Sequence, residues 1–203
     1  MILKNFIVFE GIDGAGTSTQ IEILKKRPDS GRFFFTAEPT DSPTGKFLRK
    51  MLGGDVELDP RTSAFLFAAD RNEHLYGKSG TNCGVVEQAQ NGKIVVSDRY
   101  LFSSLTYQSV SCGAELPRKL NENFPLPEIL FFFDINPEIS LQRVLGRGKT
   151  EIYEKLDFQK ETAERYRAVI DEYEKMSTGM KVIRLDASRP IEEIAKEIDS
   201  FLR

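Results

Sequence analysis

FEGIDGAGTSTQ, residues Phe9 to Gln20, is the stretch whose reading decides the fold. It follows the phosphate-loop pattern G-x-x-x-x-G-K-[ST] at Gly11, Gly16 and Ser18, but Thr17 stands where the lysine belongs. A buried strand leading into a glycine turn and then a helix lets consecutive backbone N–H groups point into one cavity. The positive end of the helix adds to that field, so phosphate is favoured there. Gly11, Gly14 and Gly16 remove the Cβ atoms that would block close approach, and Ser18 supplies a hydroxyl suited to magnesium. What is lost with the lysine is a positive charge where charge develops during transfer. Losing one preorganised electrostatic donor costs roughly 3–4 kcal/mol, about a hundred- to thousandfold in rate. On the loop alone three readings stay open: a working phosphoryl-transfer enzyme, a nucleotide binder without chemistry, and an ordinary glycine turn.

Outward from the loop, five apolar runs end in acidic residues. They are FIVFE (6–10), RFFFTAEP with Glu38 near its end, KIVVSD (93–98), ILFFFD (129–134) and KVIRLD (181–186). Continuous hydrophobicity predicts strands buried on both faces, as in a parallel sheet covered by helices. Helical patterns lie at 18–26, 60–76, 102–110, 137–145, 156–176 and 190–202. Pro60, Pro137 and Pro190 sit where a missing N–H costs nothing. Alternating strand and helix predicts an α/β doubly wound fold with a five-stranded parallel sheet. Such sheets collect ligands at the carboxyl ends of their strands, where Glu10, Glu38, Asp98, Asp134 and Asp186 are delivered. The polar, basic stretch GRGKTEIYEK (146–155) suits either a lid or a plain solvated loop. With no linker or repeat, the 203 residues are expected to form one domain.

A hydrophobic content of 40%, a charged content of 29% and a net charge of −3 are ordinary for a globular protein, and argue against general nucleic-acid binding. Cys83 and Cys112 are too few for a disulfide framework or a zinc site. MILKNFIVFEG lacks the long apolar segment of a signal peptide, and no stretch reaches the length of a membrane span, so a cytoplasmic location is expected.

Beyond FEGIDGAGTSTQ, the stretches EPTDSPTGKFLR, FLFAADRNEH, VVSDRYLFSSLTYQ, PEILFFFDINPEISLQRVLGRG and VIRLDASRPIEEI occur in an order that resembles thymidylate kinase over nearly the whole chain. The resemblance implies a nucleoside monophosphate kinase with a phosphate loop and a short lid at about 146–155, using ATP and magnesium to phosphorylate dTMP, and working as a homodimer. It implies that Gly11, Asp13, Gly14, Ala15, Gly16, Thr17, Ser18, Thr19 and Arg143 hold the donor phosphates. Asp13 would also accept a hydrogen bond from the acceptor's 3′-hydroxyl. Arg99 would grip the acceptor phosphate, and Asp98 would hold either the metal, directly or through water beside Ser18, or the arginine itself. Phe67 and Arg71, four apart on one helix face, would stack on thymine and bond its carbonyl edge. Ser104, Tyr107 and Gln108 would line thymine and deoxyribose, the Tyr107 ring leaving no room for a ribose hydroxyl. Glu38 would lie near the acceptor phosphate and the metal, and Arg49 would help bind that phosphate, although either residue also suits ordinary surface charge. His74, the only histidine, is read as solvated and is given no role.

The chain departs from the pattern twice. Thr17 replaces the phosphate-loop lysine, and Ile152 stands where the family carries a further lid arginine. Arg143, Arg147 and Lys149 remain, with Lys149 the candidate replacement for the missing lysine if the lid closes on the γ-phosphate. Rival readings are a catalytically silent nucleotide-binding module, and a kinase for dUMP or another deoxypyrimidine monophosphate. The departures bear on rate more than on acceptor choice, since each acceptor position matched carries a suitable residue.

Overall fold

The structure, a computed structural model, describes residues 1–77, 84–145 and 156–202. Five strands, β1 (Ile2–Glu10), β2 (Phe33–Ala37), β3 (Ile94–Asp98), β4 (Leu126–Asp134) and β5 (Lys181–Asp186), form one parallel sheet in the order β2-β3-β1-β4-β5. The chain winds to one side of β1 to lay down β2 and β3, then to the other for β4 and β5. That reversal opens a crevice at the carboxyl ends of the central strands. Phe6, Val8, Phe9, Val95, Val96, Leu130 and Phe131 are buried, which is why these strands read as unbroken apolar runs. Phe9 sits edge-on to Phe131 at 5.2 Å between ring centres. Burying such rings dominates the core energetics.

The helices are α1 (Thr17–Lys25), α2 (Pro43–Leu52), α3 (Pro60–Tyr76), α4 (Val85–Gln90), α5 (Leu101–Ser103), α6 (Ser109–Cys112), α7 (Glu115–Asn121), α8 (Pro137–Leu145), α9 (Leu156–Lys175) and α10 (Ile191–Phe201). Among the described residues none is long and apolar enough to cross a membrane. α3 and α8 match the sequence expectation to the residue, and α1, α9 and α10 to within a residue at each end. Helices α2, α4 and α7 were not anticipated. α2 begins with Ser42 accepting a hydrogen bond from the Gly45 N–H and with Pro43 in its first turn, a start signal present in the sequence but read there only as part of a motif.

The single helix expected at 102–110 is corrected: α5 and α6 are separated by a π-helical turn, Ser104–Gln108. Inside it the Thr106 hydroxyl donates to the carbonyls of Phe102 and Ser103, both at 2.9 Å. Extra side-chain bonding of this kind bends a helix, and π turns cluster at functional sites. β1 and β4 begin earlier than expected because their first residues pair across a register shift between Leu3 and Ile7, with Asn5 at φ 60°. That segment is partly exposed and shows no apolar run.

Candidate active site

Glu10 closes β1, and the chain turns through Gly11–Gly16 into α1. Gly16 caps α1 with φ 99° and no side-chain bond, leaving the first N–H groups of the helix to the cleft. Gly14 is held at φ 82°, and a Cβ there would lie 2.4 Å from the carbonyl oxygen of Ser140. That close approach lets α8 clamp the loop, as the Ser140 hydroxyl donates to the Asp13 carbonyl at 2.7 Å. Arg143, one turn further along α8, donates to the Ala187 carbonyl at 3.1 Å and reaches the Gly14 carbonyl at 3.5 Å. With Gly14, Ala15, Gly16, Thr19 and Arg189 it lines a hollow behind the loop.

In front of the loop lies a cleft of ≈ 310 Å³. Asp13, Gly14, Gly16, Thr17 and Ser18 bound it on one side, and Glu38, Arg49, Phe67, Arg71, Tyr107 and Gln108 on the other, with Asp98 and Arg99 between. Thr17 is half-buried at its edge. Three of the described residues lining the cleft are arginines, Arg49, Arg71 and Arg99. Each already meets protein: Arg49 the Pro39 carbonyl, Arg71 the Glu38 carboxylate and Arg99 the Asp13 carboxylate. Arg147, Lys149 and Ile152 lie outside the described residues.

Asp98 bonds Ser18 and not Arg99: the Ser18 hydroxyl donates to Asp98 Oδ2 at 2.7 Å. Asp98 Oδ1 is buried with no hydrogen-bond partner among the described residues. A hydroxyl beside a carboxylate with a spare oxygen is an oxygen donor set that suits a hard cation such as magnesium, so these two residues fit the metal the sequence implied.

Arg99 occupies the elbow after β3 with φ 73°, a left-handed conformation uncommon for a residue bearing a Cβ. Its guanidinium donates to the Gly11 carbonyl and the Ser103 hydroxyl, both at 3.2 Å, and to Asp13 Oδ1. The other Asp13 oxygen accepts from the Tyr107 hydroxyl at 3.1 Å and from Gln159 on α9 at 3.0 Å. A carboxylate with three donors from three elements is rigidly aimed. Tyr107, which the sequence placed against the sugar, thus stands over Asp13, with its ring 5.2 Å from the Arg99 guanidinium carbon. Burial raises its hydroxyl well above the usual phenol range, so it acts as a neutral donor.

At the far end Arg71 is 1% exposed. It pairs with Glu38 Oε2 at 2.5 Å, donates to Ser104 Oγ at 3.2 Å and bonds Asn121. Its Nε and the Gln108 side-chain oxygen, both buried, have no partner among the described residues. Glu38 lines the cleft, yet both of its oxygens are taken. His74 holds the second at 2.9 Å while its other ring nitrogen meets the Thr36 hydroxyl at 2.7 Å. The expectation of a solvated His74 is therefore corrected: it is fully buried, because it lies on the same face of α3 as Arg71 and packs on β2. Burial alone would raise the Glu38 carboxyl, but Arg71 and His74 outweigh it and hold the group below its ordinary value. Asp70, beside Arg71, binds the Thr40 N–H at 2.8 Å, the Thr40 hydroxyl at 2.6 Å and the Ser42 hydroxyl at 3.1 Å. The stretches EPTDSPTG and AADR are thereby locked together.

Of the acidic strand ends, Asp134 pairs with Arg167 and Asp186 with Ser188, away from the cleft. Residues the sequence reading left without a role come mainly from α9. Gln159 and Tyr166, seven apart and so on one face, both reach the loop region. Only that spacing could have pointed to them.

The sequence surrounding this cleft is similar to that of known proteins. A family model described as thymidylate kinase matches residues 9–198. A putative thymidylate kinase of Treponema pallidum is 41% identical over 204 residues, covering 100% of this chain and 96% of that protein. A probable thymidylate kinase of Methanocaldococcus jannaschii is 37% identical, covering 100% and 98%, and the thymidylate kinase of Malacoplasma penetrans is 32% identical, covering 95% and 92%. With the phosphate loop and the SDRY elbow inside the matched span, the chain belongs to the thymidylate kinase family.

Proposed function

We propose that the chain transfers the γ-phosphoryl group of ATP to dTMP, giving ADP and dTDP for dTTP supply. One observation carries this reading: the phosphate loop and the Phe67–Arg71 end pocket open into the same ≈ 310 Å³ cleft, with Arg99 between them. A nucleotide whose base lies against Phe67 and Arg71 would bring its phosphate to Arg99 and face a donor phosphate cradled by Gly11–Thr19. Arg71, Ser104 and Gln108 would read the base, Tyr107 would exclude a 2′-hydroxyl, and Asp13 would take the 3′-hydroxyl. Arg49 would add to the acceptor-phosphate grip. The role first given to Glu38 shifts: with both oxygens engaged it serves by fixing Arg71.

Ser18 and Asp98 would hold magnesium, which when bound supplies positive charge to the donor phosphates. No protein base is needed, since a phosphate monoester oxygen is already anionic near neutral pH (second pKa about 6). The protein's work is positioning and electrostatics, with Arg143 behind the loop and with Arg147 and Lys149 supplied by a lid at 146–155. We place the active chain in the cytoplasm as one kinase domain, as a homodimer that needs neither nucleic acid nor membrane.

The test is ADP release with ATP, magnesium and dTMP or dUMP, run beside Thr17→Lys. Turnover near 1–100 per second with dTMP preferred supports the reading. Binding of dTMP without turnover, restored by Thr17→Lys, would leave a nucleotide-binding module instead.

A further inference from the structure

Glu10 is fully buried at the end of β1 and has no cation in hydrogen-bond contact among the described residues. Its two oxygens nevertheless take four hydrogen bonds. Oε1 accepts from the Tyr100 N–H at 2.8 Å and the Ser103 N–H at 3.1 Å. Oε2 accepts from the Ser103 hydroxyl at 2.7 Å and the Tyr166 hydroxyl at 2.8 Å. The two N–H groups belong to the first turn of α5, which has no side-chain cap of its own. Glu10 caps it from the neighbouring strand. Burying a carboxylate is expensive, and here burial pushes the carboxyl up to about 7, against the pull of Arg99 and the bonds from Ser103 and Tyr166.

What those bonds fix is the elbow. Arg99 is anchored before the turn, its N–H donating to the Phe9 carbonyl at 2.9 Å and its carbonyl accepting the Ser97 hydroxyl at 2.7 Å. Beyond the turn, the Ser103 hydroxyl that donates to Glu10 also accepts from the Arg99 guanidinium at 3.2 Å. When its single hydrogen points to Glu10, Ser103 presents lone pairs to Arg99 and to the Tyr166 hydroxyl, 2.9 Å away. An uncharged amide at position 10 would donate toward Ser103 and Tyr166, and at least one of those hydroxyls would have to turn around.

We infer that Glu10 is a positioning residue for the acceptor-phosphate site, setting the Arg99 elbow through Ser103 and tying it through Tyr166 to α9. The inference rests on the dTMP kinase reading. It assigns Glu10 no contact with either nucleotide.

The experiment is calorimetric binding of dTMP, thymidine and ATP to wild type, Glu10→Gln and Ser103→Ala, with thermal melts as a check of folding. Thymidine lacks the phosphate that Arg99 would meet. At pH 8.5, where the Glu10 carboxyl is ionised, Glu10→Gln is expected to weaken dTMP about tenfold, the loss of one charge-assisted bond, with thymidine and ATP changed less than about twofold on the same scale. Ser103→Ala should give the same selective loss, and the double variant little more than either single. An equal loss for dTMP and thymidine, or none for either, would mean that Glu10 serves only the fold and would overturn the inference while leaving the kinase reading intact. If wild type binds no dTMP, both fall. If Glu10→Gln does not fold, Ser103→Ala decides by the same dTMP-to-thymidine ratio.

Discussion

Replacing Glu38 by glutamine keeps the shape of the side chain and removes one charge from a buried pair. Glu38 is 6% exposed and Arg71 1%, and they meet at 2.5 Å. Removing one partner of such a pair usually costs about 3–5 kcal/mol, because the other charge is left stranded. Arg71 has partial compensation here. It keeps Ser104 and Asn121, and its guanidinium carbon lies 5.3 Å from the Tyr100 ring centre and 5.9 Å from that of Phe124. Cation–π contacts of this kind contribute roughly 0.5–2 kcal/mol. We therefore expect Glu38→Gln to lose about 2–4 kcal/mol, lowering the melting temperature by roughly 4–16 °C at 2–4 °C per kcal/mol for a chain of this size. Urea denaturation at pH 7.5 should show a lower midpoint with an unchanged slope. The pH dependence has a definite sign. The folded state holds the Glu38 carboxyl below its ordinary 4.5, so its contribution is present above that value and lost as pH falls through the lower folded value. The gap between wild type and variant should close in acid. A destabilisation under about 1 kcal/mol at pH 7.5, or a gap independent of pH, would refute the reasoning from a buried pair.

Glu10 should behave oppositely. Its folded carboxyl is raised from 4.5 to about 7, so its stabilising share is complete below 4.5 and disappears as pH rises through about 7. At about 1.4 kcal/mol per unit that is a loss of roughly 3 kcal/mol, visible in melts between pH 5 and 8.5 and absent in Glu10→Gln. Gly14→Ala, which would set a Cβ 2.4 Å from the Ser140 carbonyl at φ 82°, should weaken ATP binding more than tenfold as the loop shifts; unaltered affinity by calorimetry would contradict the clamp. Tyr107→Phe removes the hydroxyl bonded to Asp13 but keeps the ring. It should raise the KM for dTMP about tenfold or more, one hydrogen bond to a charged carboxylate, while leaving discrimination against the ribonucleotide in place; loss of that discrimination would assign it to the hydroxyl. Thr17→Lys should raise kcat by about a hundred- to thousandfold unless a lid cation already acts there, and an unchanged kcat would locate the charge in the lid.

The sheet was legible because Phe6–Glu10, Lys93–Asp98 and Ile129–Asp134 carry unbroken apolar runs, the mark of strands covered on both faces. The loop was legible because close approach and left-handed φ at Gly14, and left-handed φ alone at Gly16, demand glycine. Helix α2 was missed although Ser42–Pro43 marked its start. Helix α4 was missed because it is too short to show a period. The site's inner network was hidden for another reason. A buried histidine such as His74 and a solvated one look alike until the partner strand is known, and Thr36 and Glu38 lie 38 and 36 residues away. Gln159 and Tyr166 are more distant still, joining Asp13 and Glu10 across 146 and 156 positions. Polar partners brought together by topology leave no local period to read.

The position of β1 also bears on how the protein is made. The strand that launches the phosphate loop is flanked by β3 and β4, and its β4 partners run from Leu126 to Phe132. β1 is made before both of its neighbours, and one of its edges stays unpaired until residues 126–132 follow it. Until then a row of backbone groups and the aromatic face of Phe9 have no native cover, the kind of exposed edge that chaperones recognise and that aggregation exploits. The loop that follows β1 is likewise braced by an element made later, since Ser140 on α8 holds the Asp13 carbonyl.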